Sequence, residues 1–354
     1  MKGLILCGGK GTRLRPLTYT SSKQLIPVAN KPILFYGLDA MKEAGIIDIG
    51  IIVISKDSDI VDFVGDGSEW GFNITYIEQP EPLGLAHAVL TAEEYIGDDN
   101  FVMYLGDNII KEGFKDLVKE FVKNKPNTQI LLAHVRDPER FGVAELKNGK
   151  ISRLLEKPEI PPSDLALVGV YMFDSNIFHA AKNIMPSARG ELEITDAIQF
   201  MIDNGHVVVP YVINGWWKDT GKLDDLLEAN RIILDDLNTE MNGEMDDESR
   251  LIGKVSIGKG THITKSTIRG PAIIGNNVII KSSYIGPFTS IYHNSQIINS
   301  EVEHSIILDA VKLLNIPIRI EDSLLGRNVE IIKSRIKPKT YKFMVGDNSR
   351  IDII

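Results

Sequence analysis

From residue 257 to residue 302 the chain places an aliphatic side chain at Ile257, Ile263, Ile268, Ile274, Ile280, Ile285, Ile291, Ile297 and Val302. The steps are 6, 5 and 6, repeated, which makes a period of 17. Few folds can use such a pattern. Three short strands per turn, each burying one aliphatic residue, close a triangular coil, and stacked coils bury a continuous apolar column. An ordinary isoleucine-rich antiparallel domain has no reason to hold nine positions in one register. Carried forward, the period reaches Leu308 and Leu325, and Ile331 and Ile336 resume the steps. Glycines follow several of these positions: Gly258, Gly275, Gly286 and Gly326. The pattern predicts a parallel β-helix over 251–354. It also predicts a segment bulged out near 309–321, where Arg319 breaks the repeat, and a disturbed last coil around 337–344.

The first two-thirds reads differently. KGLILC (2–7), IGIIVIS (49–55), NITYI (73–77) and FVMYLG (101–106) are short, β-branched or aromatic runs bounded by turn residues, the signature of strands. Between them lie helical patterns at 32–45 and 84–97, each ending on a glycine. A third places apolar residues at 114, 117, 118, 121 and 122. Strands alternating with helices imply a Rossmann-like, mostly parallel α/β sheet, with ligands at the carboxyl ends of its strands. Seven of the sixteen residues from Asp235 to Arg250 are acidic. That stretch predicts a solvated linker at 236–250, between a domain at 1–235 and the β-helix.

The net charge of −9 argues against general nucleic-acid binding, which needs a basic face. A single cysteine, Cys7, permits no intrachain disulfide and suits a reducing cytoplasm. Cys7 ends an apolar strand and reads as a small core residue. No run approaches the ~20 apolar residues of a membrane span, and the run at 3–7 is too short for a secretory signal.

Against this acidic background, GGKGTRLRPLT (8–18) packs three glycines and three cations into its first eight residues. It follows a strand, as phosphate-holding loops do. It is not a Walker A loop, because Lys10 is followed by Gly11, and not a dinucleotide fingerprint, because Leu14 stands where the third glycine should be. What remains is an anion nest of backbone N–H groups, with Arg13 able to fork onto phosphate oxygens. Lys23 follows ten residues later, near enough to return to the same site. Arg15 has no role legible in the sequence. Asp107, in GDN after the 101–106 strand, reads alone as either a helix cap or a metal ligand.

GGKGTRLRPLT followed by SKQLIPVANKPILFY resembles the signature of the sugar-1-phosphate nucleotidylyltransferases, and most closely the glucose-1-phosphate thymidylyltransferases. The resemblance runs from residue 1 to about 235, through EQPEPLGLA, YLGDN, EKP, RGELEITD and WWKDTG. The C-terminal repeat resembles the left-handed β-helix of the long-form members. The resemblance implies a GT-A-like nucleotidyltransferase domain in which a sugar-1-phosphate oxygen attacks the α-phosphorus of dTTP and pyrophosphate leaves. The attacking phosphate is already an anion, so no protein nucleophile or general base is required. The need is for cations and a metal to offset repulsion and stabilise charge in line.

Residue by residue, the resemblance implies that Arg13 neutralises the triphosphate and Lys23 contacts phosphate at the reacting centre. Lys157 and Arg189 would hold the sugar phosphate. Asp107 and Asp219 would ligate Mg²⁺, which is commonly held by two carboxylates and substrate phosphates. Leu6, Gly8, Gly9, Gly11, Thr12, Gln24, Gln79 and Gly84 would surround the nucleotide, with the Gln79 amide on the thymine imide edge. Asn108, Gly142, Glu156, Leu167, Val168 and Trp217 would face glucose-1-phosphate. Glu156 reads equally as one half of a surface pair with Lys157, and Trp217 as pocket wall or core.

Phe141, Val168 and Lys218 depart from the residues common in the family, which bears on sugar choice more than on catalysis. Gln24 favours the thymidylyl group. UTP is an expected second substrate. A bifunctional enzyme with acyltransferase activity would need a base such as His262, His293 or His304, and a non-catalytic regulatory subunit would lack the site residues present here. The β-helix is expected to serve homo-oligomer assembly.

Overall fold

The computed structural model describes residues 1–333 apart from Lys10, Glu112 and Asn214. The β-branched runs form strands Lys2–Leu6, Asp48–Val53, Asn73–Glu78 and Phe101–Leu105. The first three and the fourth pair in parallel around Lys2–Leu6, which lies between Asp48–Val53 and Phe101–Leu105. Strand order therefore reverses at Lys2–Leu6, and the loops after Leu6 and Leu105 leave adjacent parallel strands at the same edge. Leu165–Phe173 extends the sheet antiparallel to Phe101–Leu105, and it pairs on its other side with Thr128–His134. Gly142–Lys147 and Lys150–Glu156 form a hairpin beside it. Phe101 packs on Phe173 and Phe178 at ring separations of 5.5 and 5.9 Å, inside the buried apolar core.

The helical periodicities hold with two adjustments. Helix Ile33–Glu43 ends before Gly45, as read. The 84–97 pattern is two helices, Leu85–Thr91 and Glu93–Ile96, broken at Ala92. Lys115–Asn124 buries Leu117, Val118 and Phe121, but Val122 lies at the margin of the apolar stripe and is exposed.

The C-terminal repeat forms three sheets of short parallel strands, a β-helix in which each sheet takes one strand per coil. Ile257, Ile274 and Ile291 stack in register, as do Ile263, Ile280 and Ile297, and all six are buried. Each such burial is worth roughly 1.5–3 kcal/mol against exposure. A second ladder with the same period was not read from the sequence. Ser249, Ser266, Ser283 and Ser300 lie inside the turns, and each hydroxyl accepts the next coil's N–H at 3.0–3.3 Å. These serines satisfy backbone donors that the triangular turn would otherwise bury unpaired.

Three expectations are corrected. The acidic stretch 236–250 is not a linker throughout: Glu240–Met241, Glu244–Met245 and Arg250–Ile252 form the first coil, paired to Val255–Ile257, His262–Thr264 and Thr267–Arg269. Parallel pairing uses the backbone, so the glutamates simply face solvent. The period slips once. Ile291 pairs with Ile307 rather than Leu308, because the turn after Val302 is one residue shorter. The expected bulge reduces to a longer step from Leu313 to Ile320, after which Ile307 meets Leu325. Arg319, in that longer step, is held by Glu301 and Glu303. Ile336 and the 337–344 region lie outside the described residues.

The chain forms two compact units, one of Met1–Lys10 with Ile33–Asp219, the other of Gly11–Pro32 with the chain from Thr220 onward. The segment that carries Arg13 and Lys23, and the helix Leu223–Asp235, belong to the second unit with the β-helix.

Candidate active site

Within the first unit, Gly8, Gln79, Gly84, Asp107 and Asn108 lie near the edge where Leu6 and Leu105 end. The Leu6 carbonyl accepts the Gly106 N–H at 3.0 Å, fixing the two loops side by side. Gly8 and Gly9 follow, and a Cβ on Gly8 would lie 3.1 Å from the Gln79 side-chain oxygen. Gln79 is buried. Its Nε2 lies 2.9 Å from His87 Nδ1 and donates to the Gly84 carbonyl at 3.3 Å, which directs its oxygen toward Gly8. Gly84 has φ of 105°, and a Cβ there would lie 2.3 Å from the Leu192 carbonyl oxygen. Only glycine permits this approach, which fastens PLGLA to the RGELEITD motif.

Asp107 and Asp219 come together through a two-stranded ribbon. Asn108–Ile110 pairs antiparallel with Trp217–Asp219, and Asp219 is the register partner of Asn108. Both carboxylates are half-buried. Asn108 is buried and its amide is held at both ends: its Nδ2 donates to Asp107 Oδ1 at 3.0 Å, and its Oδ1 accepts the Trp217 indole N–H at 2.6 Å, which leaves one N–H and one lone pair for a ligand. The Tyr104 hydroxyl donates to its carbonyl at 2.5 Å. Trp217 is thus a bracket for Asn108, with its ring edge-on to Phe141 at 5.4 Å. Leu165–Phe173 carries a bulge between Leu167 and Tyr171. The bulge presses Gly169 so close that a Cβ would fall 2.7 Å from the Asn108 amide. Leu167 is buried and Val168 is fully so, which leaves the Val168 side chain inside the fold.

The EKP and RGELEITD residues form an ionic cluster. Glu156 is the register partner of Gly142. It accepts from Arg189 and Thr195, each at 3.3 Å, and pairs with Lys157 at 3.3 Å. It is therefore not a plain surface pair. Burial pushes its carboxyl above the ordinary range, with Lys157 opposing and Glu193 adding to the rise. Arg189 also binds buried Glu193 at 2.8 Å and Glu191 at 3.4 Å. Sequence reasoning missed His87, Glu193, Thr195 and Gly169. Glu193 and Thr195 lay inside a quoted motif; His87 lay one turn along the helix after Gly84.

Within the second unit, Gly11 opens the 3-10 turn Thr12–Leu14, and Lys23–Leu25 forms another. The Gly11 carbonyl accepts the Thr18 hydroxyl at 2.7 Å, and a Cβ on Gly11 would lie 3.5 Å from Lys23 Cβ. Lys23 therefore packs beside Gly11. Arg13 is exposed, Lys23 half-buried and Gln24 buried. Arg15 stacks on the Tyr19 ring at 4.9 Å, which gives it a packing role. The β-helix histidines do not converge. His262 pairs with Glu244, His304 with Asp322, and His293 accepts the Asn276 N–H.

The sequence model of the nucleotidyl transferase family matches residues 2–236. The chain belongs to this family. Among relatives, a glucose-1-phosphate thymidylyltransferase of Streptomyces antibioticus is 53% identical over 100% of this chain and 99% of its own. The low-salt glycan biosynthesis nucleotidyltransferase Agl11 of Haloferax volcanii is 44% identical over 100% of both. A solved structure of a Bacillus anthracis protein described as a glucose-1-phosphate thymidylyltransferase, in complex with a sucrose, superposes with a TM-score of 0.62 at 41% identity. It covers 69% of this chain and all of its own. Family members thus share the α/β region, and some share the whole length. No helix among the described residues is long and apolar enough to cross a membrane.

Proposed function

We propose that the chain transfers a thymidylyl group from dTTP to glucose-1-phosphate, giving dTDP-glucose and pyrophosphate. The observation that carries this reading is the ribbon that seats Asp107 and Asp219 at adjacent positions beside the Gly8 loop, in a chain 53% identical end to end to a protein of that name. Two carboxylates on neighbouring register positions are a hard-oxygen donor set that fits Mg²⁺. When bound there, Mg²⁺ would supply charge neutralisation between the two phosphate groups.

The chain's own residues do the rest. Arg13 forks onto the triphosphate, and Lys23 places a compact ammonium at the reacting phosphates. Gly8, Gly9, Gly11 and Thr12 offer backbone to the phosphates. The Gln79 oxygen, held by His87, accepts from the imide N–H of the base, and Gln24 lines the nucleotide side. Glu156 and Asn108 accept from and donate to sugar hydroxyls, while Gly142 leaves space for them. Lys157 and Arg189 meet the sugar phosphate. Arg189 exchanges some of its carboxylate partners for that phosphate, a swap between charge-assisted bonds of similar strength.

A matrix of five nucleoside triphosphates against several sugar-1-phosphates tests the assignment by pyrophosphate release. The dTTP and glucose-1-phosphate pair is expected to be best. UTP should follow within about 10- to 200-fold, because it lacks only a methyl group. The β-helix is proposed to drive self-association in the cytoplasm. Light scattering of the full chain should give a mass several times that of one chain, and a monomer at working concentration contradicts that role.

A further inference from the structure

We propose that Asn230 is a positioning residue through which the β-helix holds Lys23. The proposal rests on the reading of Lys23 as a catalytic residue. Asn230 projects from helix Leu223–Asp235 and is 1% exposed. Its Oδ1 accepts the Ala29 N–H at 2.8 Å and the Ser290 hydroxyl at 2.6 Å, and its Nδ2 donates to the Phe288 carbonyl at 3.0 Å. One amide therefore joins the turn that follows Lys23–Leu25 to the β-helix coil at 288–290. Asn30 adds a second tie, Nδ2 to the Ile291 carbonyl at 2.8 Å.

The tied turn is short and stiff. Pro27–Val28 and Lys31–Pro32 make a two-stranded hairpin. Ala29 and Asn30, at its tip, both have positive φ, 46° and 59°. For alanine that conformation is costly and persists only where its surroundings impose it. The bond to Asn230 is what the backbone N–H of Ala29 gains by adopting it. From this anchor the chain runs back through buried Val28, Ile26 and Leu25 to Lys23, with no glycine to absorb movement.

The segment also borders a cleft. Pro16, Leu17, Ile26, Leu308, Leu325 and Arg327 are among the residues that line this cleft of about 340 Å³. Buried, saturated polar groups give positional specificity, because every alternative arrangement leaves one of them unpaired. The β-helix is then part of the catalytic apparatus, whatever it does in assembly.

The test is a double-mutant cycle on the full chain, using dTTP, glucose-1-phosphate and Mg²⁺. Asn230→Ala is expected to lower kcat about tenfold, since small displacements of reacting groups are expensive. The KM for glucose-1-phosphate should stay within about twofold, because that substrate is assigned to other residues. In the Lys23→Ala background the same substitution should cost nothing further, because its effect passes through Lys23. A purely structural role moves the melting temperature but not this coupling. Should Asn230→Ala fail to fold, Ser290→Ala removes one donor to the same oxygen and is expected to lower kcat about two- to threefold, again only when Lys23 is present. Wild-type kcat in these variants, or an equal loss with and without Lys23, overturns the proposal. Full activity in Lys23→Ala itself overturns the catalytic reading and the proposal together.

Discussion

Lys23→Ala is expected to lower kcat by about a hundred- to a thousandfold, the usual cost of deleting one preorganised charge at a reacting centre. The proposed reaction brings two phosphate groups together and needs no protein nucleophile, so stabilising charge would be most of the catalytic work. Lys23 lies on a 3-10 turn, with its Cβ beside Gly11. Its side chain is half-buried, so its charge is only partly screened by water. Arginine should not rescue it, because a planar fork cannot replace a compact ammonium. The melting temperature should be little changed. Steady-state pyrophosphate release at saturating substrates reads the effect, and kcat within twofold of wild type removes Lys23 from the reacting centre.

Asp107→Asn and Asp219→Asn are expected to reduce kcat/KM by about a hundredfold or more each, since a metal ion contributes several kcal/mol of charge stabilisation. The substitution is nearly isosteric. An asparagine at 107 keeps an oxygen to accept from Asn108 Nδ2, so the ribbon and the Trp217 bracket persist. What is lost is charge. Half-saturation with Mg²⁺ should therefore move to higher concentration in both variants, and the double variant should be little worse than either single one, because two ligands of one ion act as a unit. A Mg²⁺ titration that superposes on wild type contradicts the assignment.

Much of the fold was legible because its signals are periodic. The 17-residue spacing of isoleucine dictated a β-helix, and the runs at 2–7, 49–55, 73–77 and 101–106 dictated the parallel strands. The linker at 236–250 was misread because charge describes the outer face of a coil and says nothing of its backbone pairing. The slip from Leu308 to Ile307 was hidden because two aliphatic residues adjoin there and only the turn length chooses between them. At the site, Asp107, Asp219, Glu156 and Arg189 could be named from their motifs. The bracket of Trp217 on Asn108 could not, because it joins residues 109 positions apart. Asn230 lay outside every motif. The role proposed for it comes from a hydrogen-bond geometry that spacing cannot reveal.

The substrate matrix bears on the central claim most directly. With Mg²⁺ present, dTTP and glucose-1-phosphate should give equimolar dTDP-glucose and pyrophosphate faster than any other pair, and chelation of the metal should stop the reaction. A clear preference for another nucleoside triphosphate or another sugar-1-phosphate, or release of orthophosphate in place of pyrophosphate, would contradict it.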